Sequence, residues 1–242
     1  MFCTAGFFDC LKEIDLKTIM KILALDTATE ACSVALNLDG EVIEHFELSP
    51  RRHSRDLLPM VESLLAKAGV TLKQLDAIAF GRGPGAFTGL RVATAMTQGL
   101  AYAVDLPVIP VSTLAALAQQ AYREQNTSHV LSAIDARMSE VYWGAYKAEN
   151  GLMTPMLDEQ VIAPQLVSAP VIETQWYGIG TGWAFREQMP VTVFDCVTET
   201  WPRAYDIALL AAADFTMGKL LPAEQAMPVY LRDKVALKKS ER

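Results

Sequence analysis

Runs of apolar residues change period several times along the chain, and each change marks an element. Ile22 to Asp26 is a short apolar run ending in an acid, which predicts a buried strand. Ala31 to Leu38 and Glu41 to Leu48 follow as strands, joined by Asp39-Gly40. That pair suits the positive φ angles of a tight hairpin turn. From Asp56 to Ala68 the period becomes helical, with Leu57, Leu58, Val61, Leu64, Leu65 and Ala68 apolar and Gly69 closing the segment. Pro59 lacks an N–H donor and suits a first turn, which puts the helix start near Asp56. Leu75 to Phe80 reads as a strand, Thr88 to Val104 as a helix and Val108 to Val111 as a strand. The order β-β-β-α-β-α-β predicts a mixed sheet with helical crossovers, an α/β fold.

A second unit repeats the form of the first. Val130 to Arg137 is again an apolar strand ending near an acid, Asp135, and leads into a β-rich run from Glu140 to Tyr146. Two such units suggest duplicated halves, with chance similarity as the competing reading. Later come the glycine-rich Tyr177-Gly178-Ile179-Gly180-Thr181-Gly182-Trp183 and a helix from Ala204 to Met217. The expected division is an extension (1–19), an N-terminal half (20–125) and a smaller C-terminal half (126–242), the last helix packing back on the first half.

Glycine is most concentrated in Gly81-Arg82-Gly83-Pro84-Gly85-Ala86-Phe87-Thr88-Gly89-Leu90-Arg91. Such a loop at the start of a helix suits an anion or a closely approaching backbone. It is neither a P-loop, lacking the Gly-Lys-Ser/Thr ending, nor a dinucleotide fingerprint. Asp26 and Asp135, at strand ends, could hold Mg²⁺ through water or merely fix the turns that follow them. With Gly178, Gly180 and Gly182 they form the candidate nucleotide-binding set. His45, His53 and His129 show no helical ligand spacing, so no metal site is expected. There is no G-x-S-x-G elbow and no cysteine beside a histidine.

The chain is 51% hydrophobic and 20% charged, with a net charge of −7. That balance argues against binding nucleic acid unaided. Its basic cluster is Arg232, Lys234, Lys238, Lys239 and Arg242, a solvated tail or a local RNA contact. Four unpaired cysteines and no apolar run of the ~20 residues a membrane span needs fit a cytoplasmic protein with reduced thiols. The helix after the glycine loop is rich in small residues, among them Ala93, Ala95, Thr97, Gly99 and Ala101, which let another helix approach closely. Together with the Asp56–Ala68 helix it could form a contact plate, or be covered by the second half.

Lys21 to Ala35 and Gly81 to Arg91 together resemble the TsaB family, as do Ala133-Ile134-Asp135-Ala136-Arg137-Met138-Ser139-Glu140-Val141-Tyr142-Trp143 and Pro228-Val229-Tyr230-Leu231-Arg232. The resemblance implies an actin-like ATPase (ASKHA, RNase H-like) fold in two duplicated halves. It also implies a role in threonylcarbamoylation of the adenosine beside the anticodon (t6A), beside the catalytic paralogue TsaD. Where TsaD carries an H-x-x-x-H metal pair, this chain has Thr113 and Leu117, and leucine cannot ligate a metal. The implied role is therefore a non-catalytic subunit that pairs with a TsaD-like partner, recruits a TsaE-like ATPase and meets tRNA only through the complex. Alone, it would form a homodimer. The expected contact residues are Leu57, Val61, Leu64, Leu65, Ala93, Met96, Thr97 and Leu100. No tightly bound cofactor is expected, only weak ATP or ADP binding. The competing reading is a nucleotide-dependent kinase or carbamoyltransferase of the same fold; a protease lacks a visible nucleophile–base pair.

Overall fold

A computed structural model describes residues 20–232. The expected extension 1–19 and the basic residues Lys234, Lys238, Lys239 and Arg242 lie outside the described residues. Two sheets of the same design make up the molecule. In the first, β1 (Lys21–Asp26), β2 (Ala31–Leu38) and β3 (Glu41–Leu48) run antiparallel, and β4 (Ala77–Gly83) and β5 (Val108–Ser112) continue parallel to β1 in the order β3-β2-β1-β4-β5. In the second, β6 (His129–Arg137), β7 (Glu140–Glu149) and β8 (Leu152–Pro155) run antiparallel, with β9 (Gln160–Ile162) also on β7. Strands β10 (Tyr177–Ile179) and β11 (Asp195–Val197) continue parallel to β6. Apart from β9, order and direction repeat strand for strand, so the duplication is architectural.

Strand alternation sends neighbouring side chains of β1 to opposite faces. Leu23 and Leu25 pack under α1 (His53–Ala68), against Leu57, Val61 and Leu64. The small and β-branched Ile22 and Ala24 pack under α4 (Ala204–Thr216), against Ala204, Ile207, Ala208 and Ala211. The helix α2 (Phe87–Val104) lies beside α1 on the first of these faces. α3 (Thr113–Gln125) leaves β5 and covers the second sheet, where Leu114, Leu117, Ala118 and Ala121 meet Val130, Ile134 and Tyr146. A separate cluster around Trp143 and Trp183 fills that sheet's other face.

Two expected element bounds are corrected, at the start of α1 and at the end of β4. α1 begins at His53, a turn before Asp56. Asp56 accepts from Ser49 and pairs with Arg52 at 3.0 Å, which stabilises the added turn. Pro59 therefore sits in the second turn, on the solvent side, where the bond it forgoes is the least missed. The glycine-rich run at Tyr177–Trp183 is a three-residue strand running into a 3₁₀ segment over Thr181–Gln188. The apolar strand expected to end at Phe80 runs on to Gly83, into the glycine loop itself.

Candidate functional site

Two concave surfaces meet at the start of α2. The first is a cleft of about 1020 Å³ between the halves, lined by the β1–β2 turn (Ala28, Thr29, Glu30), the glycine loop, the β6–β7 turn (Asp135–Met138), Thr181, Trp201 and Val229–Arg232. The second is an apolar groove of about 650 Å³ on the outer side of α1 and α2, lined by Leu58, Phe87, Val92, Ala95, Met96, Gly99 and Leu100 with Ser54, Thr88 and Arg91 at its rim.

Three glycines of the loop, Gly83, Gly85 and Gly89, are approached by the chain's own backbone. A side chain at Gly89 would run into the Thr27 carbonyl oxygen, and one at Gly85 into that of Ala28. The Ala86 amide donates to the Ala28 carbonyl at 2.7 Å, and the Thr27 hydroxyl donates to the Gly89 carbonyl at 2.7 Å. Gly83, with φ +105°, lets the Val229 carbonyl approach, and the Val229 amide donates to the Arg82 carbonyl at 2.7 Å. Of the two uses the loop could have, close approach of backbone is the one these contacts realise.

Asp26 is fully buried and does not line the cleft. Its Oδ1 accepts from the Ala28 amide at 3.0 Å, whereas Oδ2 faces the bare Cα of Gly81 and has no partner. Burial pushes its carboxyl up to about 7. Asp135 does line the cleft, but it holds the β6–β7 turn, accepting from the Arg137 amide at 2.8 Å and its guanidinium at 2.9 Å. The same guanidinium reaches Glu30 of the other half at 2.9 Å. Asp26 and Asp135 are thus not two carboxylates facing one cavity. Gly178, Gly180 and Gly182 also point inward: a Cβ would meet the Trp183 ring and Cys196 at the first, the Ala133 carbonyl at the second and the Ala133 backbone and side chain at the third. Packing accounts for all three.

Thr113 and Leu117 are both buried, one turn apart on α3. The Thr113 hydroxyl donates to the Pro84 carbonyl, and Leu117 packs against Gly180. No group of three or more His, Cys, Asp or Glu side chains is placed to hold a metal among the described residues. No described helix is long and apolar enough to cross a membrane.

The eight residues expected to meet a partner divide by orientation. Leu57, Val61, Leu64, Ala93 and Thr97 are buried in the chain's own core, and Leu65 packs at its edge, because both helices turn their most continuous apolar stripe to the sheet. Only Met96 and Leu100 face the groove. Leu58 (38% exposed), Phe87 (43%), Ala95 and Gly99 complete it and were legible only as a second apolar face on α1 and a run of small residues on α2. A segment near the C-terminus ties groove to cleft. Gln98 donates to the Ala226 carbonyl at 2.9 Å, Tyr230 stacks on Phe87 at 5.3 Å and accepts from Arg91 at 3.0 Å, and Arg232 pairs with Glu140 of the second half.

Comparison with known proteins gives concordant results. Residues 43–239 match the TsaD family, tRNA N6-adenosine threonylcarbamoyltransferase. The chain is similar to tRNA threonylcarbamoyladenosine biosynthesis protein TsaB of Escherichia coli strain K12, 45% identical over 91% of this chain and 98% of that protein. The protein of the same name from Haemophilus influenzae is 40% identical over 91% and 97%. A crystal structure of a Pseudomonas aeruginosa protein with similarity to peptidase YeaZ superposes with a TM-score of 0.86 at 51% identity, covering 88% of this chain and all of that one.

Proposed function

The chain belongs to the TsaB family, which places it in tRNA threonylcarbamoyladenosine biosynthesis, and on that premise we propose that it serves there as a non-catalytic subunit. In this reading a TsaD-like catalytic subunit packs into the α1–α2 groove, a TsaE-like ATPase joins the pair, and tRNA is met through the complex. When the partner is missing, a second copy covers the same groove. The observation that carries the reading is the groove itself: an apolar, solvent-open furrow on two helices whose other faces are already satisfied by the core. Small residues at Ala95 and Gly99 form its floor and admit a facing helix at short range.

Catalysis by this chain finds little support. The positions of the TsaD metal pair hold an apolar side chain and a hydroxyl already bonded to Pro84. ATP or ADP would bind weakly, since Asp26 is sealed and the glycines are filled by the protein's own atoms.

Co-expression with the TsaD-like subunit tests the reading. Leu58→Arg and Ala95→Arg replace exposed residues, so the fold should survive while a charge is driven into the contact. Both variants should fail to co-purify with the partner. Retention at the wild-type yield would place the contact elsewhere. Arginine at Ala93 or Thr97 would be uninformative, because those side chains lie inside the core.

A further inference from the structure

The segment Ala226-Met227-Pro228-Val229-Tyr230-Leu231-Arg232 forms neither helix nor strand, yet it touches both halves. Its grip on the first half is firm. Ala226 is fully buried in the core beneath α1 and α2, and its carbonyl accepts from Gln98 at 2.9 Å. The Val229 amide donates to the Arg82 carbonyl at 2.7 Å, and only a glycine at position 83 leaves room for the Val229 carbonyl. The grip on the second half rests on Arg232. Its guanidinium pairs with Glu140, donates to the Arg137 carbonyl at 3.3 Å and meets the Met138 sulfur at 3.3 Å.

Those three acceptors belong to the β6–β7 turn, which is itself strained. Arg137, Met138 and Ser139 have φ of 63°, 57° and 57°, three left-handed residues in succession, each carrying a Cβ. Such a conformation is costly and lasts only while its surroundings hold it. Besides Arg232, the holders are the Asp135 carboxylate and an ion pair from Arg137 to Glu30 across the cleft, whose side chains are both exposed. Exposed ion pairs contribute little, so the Arg232 end is the releasable one.

Between the two grips sits Tyr230. It stacks on Phe87 and accepts from Arg91, whose guanidinium covers the same ring at 3.8 Å. Phe87 lines both the groove and the cleft, whereas Tyr230 lines the cleft alone. A partner filling the groove would pack on the ring that Tyr230 holds from the other side. The halves also join through α3, which lines no part of the cleft and leaves its mouth to the segment 226–232.

We propose that this segment is a strap coupling the groove to the cleft: a partner seated on Phe87 fixes Tyr230, and Tyr230 keeps Arg232 on the strained β6–β7 turn, holding the second half against the first. The inference rests on the reading that a partner occupies the groove. Such coupling is reciprocal, so a strap released at Arg232 weakens the partner by the factor with which the partner secures the strap.

Hydrogen exchange on the full chain, alone and with the TsaD-like subunit, reads both ends at once. Exchange should slow across α1 and α2 and also, about tenfold, across residues 137–140, an ordinary size for a coupling. Tyr230 is exposed, so Tyr230→Ala should keep the fold; with it the partner should still protect α1 and α2 but no longer the turn. Arg232 lies outside the groove, and Arg232→Gln should nonetheless weaken the partner about tenfold by calorimetry. Protected helices with an unprotected turn, turn protection that survives Tyr230→Ala, or an affinity unchanged by Arg232→Gln would each overturn the coupling and leave the groove reading intact. No protection of α1 and α2 would remove the groove reading, and the coupling with it.

Discussion

Asp26 is an acid held where water cannot reach it, with one oxygen unpartnered and its carboxyl pushed from 3.8 to about 7 by burial. Between those values the unfolded chain carries the charge and the folded chain keeps the proton. Stability from this group is therefore full below 3.8, falls as pH rises towards 7 and is flat beyond, with a slope approaching about 1.4 kcal/mol per pH unit inside the window. Asp206, raised to about 6 by burial in spite of Arg123, acts with the same sign over a narrower range. Asp26→Asn should flatten most of the decline, as chemical denaturation at pH 4, 5, 6 and 7 would show; an unaltered pH profile would contradict the assignment. Glycine makes a second residue-scale case. Gly89→Ala drives a methyl into the Thr27 carbonyl and should destabilise by about 1–3 kcal/mol, whereas Gly99→Ala meets nothing and should stabilise α2 by about 0.5–1 kcal/mol. Thermal melts of the two variants check both signs. Of these residues, sequence singled out Asp26 and the glycine loop but not their use. An acid at a strand end looks the same whether it faces a cleft or a bare glycine, and only the β4 register places Gly81 against it.

The three antiparallel strands of the first sheet, β1 to β3, were legible almost to the residue, because apolar runs and the Asp39-Gly40 turn are local signals. Elements that depend on distant partners were not. α3 carries mostly alanine and glutamine, a weak stripe that becomes a core face only when Ser112 caps it and the second sheet meets it. β8, β9 and β11 are four residues or fewer and are defined by pairing alone. The join between α3 and α4 makes a prediction at this scale. Arg123 spans from one helix to buried Asp206 on the other, so Arg123→Ala would strand that carboxylate and should cost about 3–5 kcal/mol near neutral pH. The loss should shrink in acid, where Asp206 takes up a proton. Urea melts at pH 5 and pH 8 measure the difference.

At the scale of the whole molecule, the same sheet is built twice and joined by a cleft whose loops are filled by the protein's own backbone. Beside that cleft an apolar groove on α1 and α2 is open to solvent, and of the eight residues that sequence named on these two helices only Met96 and Leu100 face it. The reason is physical: both faces of each helix are apolar, and periodicity cannot say which one the sheet takes. Pairing, not chemistry, is the contribution to tRNA modification proposed for this chain. The most direct measurement is t6A formation in a reconstituted mixture of the TsaD-like subunit, the TsaE-like ATPase, an activated threonylcarbamoyl donor and tRNA, supplemented with wild-type chain, Ala95→Arg or Asp26→Asn. The prediction is that Asp26→Asn sustains the reaction as the wild type does, while Ala95→Arg reduces it to the level without the chain. Full product with Ala95→Arg and none with a folded Asp26→Asn would contradict it.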